Sequence, residues 1–285
     1  MGYAIVGASL RHLPLDDFLT GVRELGCEGF ELYISPDSHG GIFGECASPG
    51  GELDLEKLAA IRRRIEQAGL RTIAIGSRGD FVQTNPAAMQ DQAELVNPPA
   101  GGCDVAVALG CDVVRTFGGE AKEGVDPADW EQLIARGYGL CLPHAQSTGI
   151  TLAMENHGFI TNDGDLEMRL LERLGSPNFG LTLDTSNYRW FGADLDTITR
   201  WFDKLAPFVA HTHLKDGSAQ SGTRREYTAL ALGEGEAPIA FAVQRLREAG
   251  FGRPWCAEYE GKLEPLVGLE RSLRFLRGIA ADAPH

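Results

Sequence analysis

Carboxylates and histidines end four short apolar runs in the second half of the chain. The residues at these ends are Glu155, Asp184, the pair His211 and His213, and Glu258. If the runs are neighbouring parallel strands of a barrel, their carboxyl ends meet at one face, where barrel active sites lie. Three carboxylates that converge at a half-buried point repel one another unless a cation lies among them. We therefore expect a metal site formed by Glu155, Asp184, His213 and Glu258.

The donor atoms of this set predict the kind of ion. Carboxylate oxygens with one imidazole suit a hard to borderline divalent ion, for which Mn²⁺ is the first expectation and Mg²⁺, Co²⁺ and Zn²⁺ are alternatives. A structural zinc site is disfavoured because no thiolate accompanies these residues. His211 lies two residues deeper in its strand than His213, so we expect it to support the site rather than bind the ion.

Eight strand-like runs alternate with eight helical stretches along the whole chain. The strands are predicted at 3–8, 29–33, 71–75, 111–117, 150–154, 179–183, 209–214 and 255–259. Apolar residues at helical spacing predict helices at 14–25, 53–68, 87–109, 127–147, 165–174, 194–205, 238–249 and 264–279. This alternation predicts a parallel α/β sheet closed into a (β/α)8 TIM barrel, as a single domain over residues 1–285. An open doubly wound sheet is the alternative, but no GxGxxG motif follows the first strand.

Three details of this prediction concern proline and loop residues. Pro98 and Pro99 are expected to break the helix 87–109, and Pro143 to kink the helix 127–147 or stop it early. The stretch 215–237 is expected to be a long loop.

Composition and charge exclude several function classes. The 285 residues carry a net charge of −14, which argues against a protein that binds nucleic acid, because such proteins need a basic face. Six cysteines without CxxC spacing indicate buried thiols of a cytoplasmic protein. No apolar run is long enough to span a membrane, and the segment Met1-Gly2-Tyr3-Ala4-Ile5-Val6 lacks the basic n-region of a secretory signal. We expect a cytoplasmic protein without membrane or nucleic-acid partners.

Five segments resemble the xylose isomerase-like barrels, a family of sugar phosphate isomerases and epimerases that includes AP endonuclease family 2. They are Met154-Glu155-Asn156-His157-Gly158, the stretch Ser176 to Thr185, His211-Thr212-His213-Leu214-Lys215-Asp216, Leu232-Gly233-Glu234-Gly235-Glu236 and Ala257-Glu258-Tyr259-Glu260-Gly261. The resemblance spans nearly the whole chain and implies that Glu155, Asp184, His213 and Glu258 bind the metal. It also favours His213 over His211, because the family has a histidine at the corresponding strand end.

One position departs from the DNA-repair members of that family. Those members carry a histidine three residues after the strand-six aspartate, where this chain has Asn187. No DxH pair lies between strands seven and eight either. The departure disfavours an AP endonuclease, and it also weakens the match to keto-sugar epimerases, which often carry that histidine for their substrate.

The resemblance implies a metal-dependent sugar isomerase or epimerase that removes a proton next to a carbonyl group of a keto or aldo sugar and stabilises an enediolate. Glu155 and Glu258 are the expected acid/base pair, with His157 as an alternative base. Lys215 is expected to contact substrate or else to pair with Asp216. The other expected substrate contacts are Asn156, Asn187 and Arg115, of which Arg115 has a salt bridge in the barrel mouth as its alternative role.

Two other functions fit the same residues. The first is a metal-dependent lyase or dehydratase that acts on a 3-keto sugar, a keto-glycoside or a dehydro-acid, where His157 would serve as the base. The second is a non-catalytic barrel subunit or binding protein. In every enzymatic case the partner is a small-molecule carbohydrate or close derivative, and a homo-oligomer is compatible with the sequence.

Overall fold

Eight parallel strands form the centre of the molecule in a computed structural model that describes residues 2–33, 54–97, 101–219 and 226–281. The strands of this sheet are β1 (Tyr3–Val6), β2 (Gly29–Tyr33), β3 (Arg71–Gly76), β4 (Val113–Thr116), β5 (Thr151–Glu155), β6 (Phe179–Asp184), β7 (Val209–His213) and β10 (Trp255–Ala257). Each pairs with its sequence neighbour, and β1 pairs with β10. A parallel bridge between Leu214 and Ala257 joins β7 to β10 and closes the ring. The predicted (β/α)8 barrel is confirmed.

Helices follow the strands and cover the barrel from outside. They are α1 (Leu15–Glu24), α2 (Leu55–Gln67), α3 (Pro86–Glu94), α4 (Gly102–Leu109), α5 (Trp130–Thr148), α6 (Gly164–Leu174), α7 (Asn187–Phe191), α8 (Leu195–Leu205), α9 (Ile239–Glu248) and α10 (Pro265–Ala281). Local chemistry sets their ends: the Asp163 carboxylate accepts the amides of Asp165 and Leu166 at the start of α6. Gly149, with φ of 73°, ends α5 in a conformation that costs glycine little.

The observed elements agree with one detail of the sequence prediction and correct two others. The helical stretch 87–109 is interrupted, as expected, and forms two helices, α3 and α4; Pro98 and Pro99 lie outside the described residues. The early stop at Pro143 is wrong, because α5 continues past it to Thr148. The stretch 215–237 is not only loop, because it contains the antiparallel strands β8 (Asp216–Ala219) and β9 (Tyr227–Leu230). Asp216 stabilises this region by accepting four backbone amides, those of Gly217, Gly233, Gly235 and Ala237.

Strand alternation decides which side chains enter the barrel. The outward-facing residues, such as Ile5, Phe30 and Leu152, belong to the large apolar core between strands and helices. Their neighbours in sequence face inward and form separate small clusters, one with Ala4, Val6, Ile73 and Cys256 and another with Ala74, Val113 and Ala153. The same period of two brings polar side chains inward at the strand ends. The barrel interior is therefore apolar at one end and charged at the other.

The cysteines match their predicted state where the structure describes them. Cys27, Cys103, Cys141 and Cys256 are buried free thiols, and Cys111 is half-buried; Cys46 lies outside the described residues. Burial raises the pKa of Cys27, Cys103 and Cys141 to about 12, so these thiols stay protonated and unreactive. Among the described residues, no helix combines the length and apolarity needed to cross a bilayer.

Candidate metal centre

Glu155, Asp184, His213 and Glu258 converge inside the mouth of the barrel. Each offers one ligand atom, and these atoms all lie within 4.8 Å of one another. Three of the side chains are buried, whereas Glu258 is partly accessible. They come from the ends of β5, β6, β7 and β10, so the structure brings together the four residues that the sequence indicated as metal ligands.

The Asp184 carboxylate is held by backbone amides at one oxygen and is open to the site at the other. Its Oδ1 accepts the amides of Ser186 and Asn187, each at 2.8 Å, at the start of α7. The Asn156 side chain fixes the Asp184 backbone from the other side, because its Oδ1 accepts the Asp184 amide and its Nδ2 donates to the Asp184 carbonyl. Asp184 Oδ2 is consequently directed at its neighbours in the site.

Three atoms of the cluster suit a cation. Asp184 Oδ2, His213 Nδ1 and Glu258 Oε2 are buried, and none forms a hydrogen bond within the described part of the chain. His213 Nδ1 lies 3.4 Å from Glu155 Oε1 and 3.4 Å from Glu258 Oε2. A buried polar atom without a hydrogen bond is costly; the Lys215 ammonium lies near two of these atoms, and a divalent ion would bind all three at once. The residues present therefore fit an oxygen-rich divalent metal site.

The charges of the cluster shift the pKa values of its members in opposite directions. Burial, together with the carboxylates of Glu258 and Glu155, raises the pKa of Asp184 to about 7, although Lys215 opposes the shift. Burial alone would lower the pKa of the His213 imidazole, but the charges of Glu31, Glu155 and Glu258 outweigh it and raise that pKa well above its usual value. Both shifts show an excess of negative charge, which a cation would balance.

Lys215 supplies part of that balancing charge. Its Nζ lies 3.0 Å from Asp184 Oδ2, 3.4 Å from Glu258 Oε2 and 3.1 Å from Glu260 Oε2. Burial opposes the charged form, but these carboxylates raise the pKa of Lys215 well above its usual value, so the side chain is an ammonium ion. Lys215 therefore forms ion pairs with Asp184, Glu258 and Glu260, whereas Asp216 accepts hydrogen bonds from backbone amides.

The remaining residues singled out in the sequence lie around this centre at different depths. Asn187 Nδ2 is 3.3 Å from Glu155 Oε1 and donates to the Asn156 carbonyl at 2.9 Å. Arg115 is buried, with its Nε 3.4 Å from Glu155 Oε2. The His157 ring is exposed on the rim and lies against Phe117, with ring centroids 4.4 Å apart.

Glu31 belongs to the centre but was not identified from the sequence. This fully buried carboxylate on β2 bonds to His211, His213 and Arg115. The signal that could have found it is the segment Gly29-Phe30-Glu31-Leu32-Tyr33. A single acidic residue in an apolar strand, with its apolar neighbours facing the helices, must face into the barrel.

A cavity of about 430 Å³ opens beside Glu258. It is lined by Glu258 and Glu260 and by Arg11, His12 and Ser9 from the segment that follows β1. The Ser9 hydroxyl is buried and makes no hydrogen bond to any described residue. The cavity has the size of a small-molecule site and polar groups in its lining.

Comparison with known proteins places this geometry in a family. The family model described as xylose isomerase-like TIM barrel, of the AP endonuclease 2 family, matches residues 19–279. No curated protein sequence matches the chain at a significant level.

Three solved structures illustrate the shared fold. A D-tagatose 3-epimerase-like protein has a TM-score of 0.74 at 16% identity, with 99% of this chain and 97% of that chain covered. The probable 3-DHS dehydratase AsbF of Bacillus anthracis has a TM-score of 0.70 at 18% identity, with 97% and 99% covered. The IOLI protein, solved with a binding zinc atom, has a TM-score of 0.74 at 14% identity, with 99% and 97% covered. The extent of the family match, together with the shared fold, shows that the chain belongs to the xylose isomerase-like TIM barrel family.

Proposed function

We propose that the protein is a divalent-metal-dependent isomerase or epimerase of a keto or aldo sugar or a close derivative. The observation that carries this proposal is the convergence of Glu155, Asp184, His213 and Glu258, with three buried ligand atoms that have no hydrogen-bond partner among the described residues. The D-tagatose 3-epimerase-like structure supports the reaction class, although at its level of identity it establishes only the fold.

Glu155, Asp184, His213 and Glu258 would hold the ion, for which Mn²⁺ is our first choice. Once bound, a divalent ion supplies Lewis-acid chemistry: it polarises a substrate carbonyl and makes the neighbouring C–H bond more acidic. The substrate would enter through the cavity beside Glu258, because this opening lies against the partly accessible member of the set.

Two carboxylates are placed to exchange the proton. Glu155 and Glu258 come from β5 and from the end of β10, and each has an oxygen 3.4 Å from Nδ1 of the intervening His213. Burial raises the pKa of each carboxylate, but neighbouring cationic groups outweigh it and keep both pKa values low. At neutral pH both groups are ionised, so either can take a proton from one face of the substrate. The other must first take a proton from water, which it then gives to the opposite face, and the first group releases its own proton to water.

The polar residues around the four proposed ligands would either contact the substrate or hold a ligand in place. Lys215, whose Nζ lies against Glu258 and Glu260 at the cavity wall, would donate a hydrogen bond to a substrate hydroxyl or carbonyl. Asn187 would contact the substrate through its side-chain amide, which lies beside Glu155. Arg115 would contact it through Nη1, which has no hydrogen-bond partner among the described residues. Asn156 would act by holding Asp184, since both ends of its amide bond to the Asp184 backbone.

Metal content and proton exchange test this proposal together. Chelation should abolish activity, and Asp184→Asn should lose bound Mn²⁺ because its amide removes one anionic ligand. Glu258→Gln should block exchange of the substrate α-proton with deuterium from solvent. Stoichiometric Mn²⁺ in a Glu155→Gln/Asp184→Asn double variant would show that the ligand assignment is wrong, and unimpaired deuterium incorporation in Glu258→Gln would remove Glu258 from the acid/base pair.

A metal-dependent lyase or dehydratase is the second candidate. His157 favours it, because an exposed imidazole follows the ligand Glu155 by two residues and could remove a proton at the rim. The probable 3-DHS dehydratase among similar structures also supports this class. Product analysis by NMR distinguishes the two: an epimer or an aldose–ketose pair supports the isomerase, and loss of water or of an aglycone supports the lyase.

A further inference from the structure

Glu31 lies at the centre of a buried hydrogen-bond network next to the metal centre. Its Oε2 is 2.6 Å from His213 Nε2 and 2.9 Å from His211 Nε2. Its Oε1 accepts Arg115 Nη2 at 2.9 Å and Arg115 Nε at 3.2 Å. The carboxylate is 0% exposed, so these contacts replace the water that an ionised carboxylate requires.

This network determines how the His213 ring is oriented. An ionised carboxylate only accepts hydrogen bonds, so the nitrogen that faces Glu31 must carry a proton. When an ion takes the place of a proton at Nδ1, the imidazole is neutral, keeps its proton at Nε2 and binds the ion through the Nδ1 lone pair. That atom is the one directed at Glu155 and Glu258. We propose that Glu31 is a positioning residue that holds His213 in the Nε2–H form and so presents Nδ1 to the divalent ion; this inference rests on the proposed function.

Arg115 extends the same network to a second ligand. Its guanidinium bonds to Glu31 and lies 3.4 Å from Glu155 Oε2. The rings of Phe117 and Tyr33 flank it, at 4.6 Å and 5.3 Å from its central carbon. The Glu31–Arg115 pair therefore restrains two of the four ligands, His213 and Glu155, and partners of this kind commonly change metal affinity about 10- to 100-fold.

The Glu31–Arg115 pair occupies space that is free only because residue 76, at the end of β3, is a glycine without a side chain. A Cβ atom at this position would lie 2.6 Å from Arg115 Nη2 and 2.8 Å from Glu31 Oε1. Gly76→Ala therefore offers a way to displace the pair while leaving all four ligands unchanged.

Glu31, His211 and His213 could also be read as a second metal site, because their ligand atoms lie close together. The Arg115 guanidinium argues against it: a cation there would lie beside an existing positive charge on the same carboxylate. His213 would also have to serve two ions through its two nitrogens. The contacts with Glu31 are therefore hydrogen bonds from two imidazole N–H groups.

Metal affinity tests the proposal. In titrations with Mn²⁺ alone, Glu31→Gln should raise the Kd about 10- to 100-fold, because it loses the charge that orients both His213 and Arg115. Gly76→Ala should raise the Kd in the same direction. His211→Asn is the matched control for Glu31→Gln, since it removes a neighbour of Glu31 but leaves the bond between Glu31 and His213. Gly139→Ala is the control for Gly76→Ala, because nothing lies within 4 Å of its new Cβ. Unchanged affinity in both Glu31→Gln and Gly76→Ala would overturn the proposal.

The position of the imidazole proton provides a readout that a loss of stability would not mimic. In Zn²⁺-loaded protein labelled with ¹⁵N, His213 should give the spectrum of an Nε2–H imidazole, and an Nδ1–H form would refute the proposal. In ion-free protein the His213 Nε2–H proton should give a slowly exchanging downfield signal that Glu31→Gln weakens or loses. If the wild-type protein binds no ion but keeps this signal, the proposed function is refuted, whereas the hydrogen bond between Glu31 and His213 stands. If the wild-type protein binds a second equivalent of Mn²⁺ and Glu31→Gln does not, Glu31 belongs to a second metal site, and the proposal is refuted.

Discussion

Replacing Lys215 with methionine should destabilise the ion-free protein and at the same time tighten binding of a divalent ion. The Lys215 ammonium lies 3.0 Å from Asp184 Oδ2 and 3.4 Å from Glu258 Oε2. These two oxygens are also among the proposed ligand atoms for the ion. Methionine keeps most of the volume and the flexible stem but removes the charge, so the variant separates packing from electrostatics.

The magnitude of both effects follows from this geometry. Removing one partner from a buried ion pair typically costs about 3–5 kcal/mol, and a chain of this size loses roughly 2–4 °C in Tm for each kcal/mol. We therefore expect the ion-free Tm to fall by roughly 6–20 °C. Two unit charges 4 Å apart repel by about 4 kcal/mol at an effective permittivity of 20. Relief of even part of that repulsion should lower the Kd for Mn²⁺ at least tenfold, which requires only about 1.4 kcal/mol.

Calorimetric titration and thermal unfolding with and without Mn²⁺ measure the two effects separately. The rise in Tm at saturating Mn²⁺ should be larger for Lys215→Met than for the wild type, because tighter binding adds stability by mass action. Lys204→Met is the control: that lysine pairs with Asp165 on the surface, with both side chains more than half exposed, and should change neither quantity by much. If Lys215→Met binds Mn²⁺ as weakly as the wild type or more weakly, the ammonium does not compete with the ion and the reasoning is wrong.

Two further predictions concern the cavity and a buried acid on α6. Ser9→Phe adds a ring at a residue that lines the cavity beside Glu258. Steady-state kinetics should therefore show a KM raised at least about tenfold, while elemental analysis shows unchanged Mn²⁺ content. An unchanged KM would exclude the cavity as the substrate site. Burial raises the pKa of Glu167 well above its usual value, against the opposing hydrogen bond from Tyr188, so the folded state loses stability as pH rises through that pKa. Glu167→Gln should therefore stabilise the protein by about 1–3 kcal/mol at pH 9 in urea unfolding, with exposed Glu172→Gln as the control, and equal pH dependence in the wild type and Glu167→Gln would contradict this.

The sequence predicted the barrel and the convergence of Glu155, Asp184, His213 and Glu258, because both depend on local pattern. The runs of apolar residues locate the eight barrel strands to within two residues, and the helical spacings do the same for most helices; α5 begins three residues later than predicted, and the stretch 87–109 forms two helices. Once the strands are parallel, an acidic residue or histidine at the carboxyl end of each strand must lie at the same face of the barrel. The errors lie where distant contacts outweigh local signals, as at Asp216, whose four bonds to backbone amides organise the region around β8.

Pairing among the site residues could not be predicted from the sequence, because it depends on which side chains face one another across the barrel. Lys215 is followed by Asp216, an obvious partner by proximity, yet its ammonium forms ion pairs with carboxylates from β6 and from the end of β10. Glu31 is separated from His213 by 182 positions, yet it forms the shortest contact of that ring. Both contacts arise because adjacent residues in a strand face opposite sides while strands far apart in sequence face one interior. The proposed ligands can thus be identified from strand ends one at a time, whereas the groups that orient and neutralise them can be identified only when the barrel is closed.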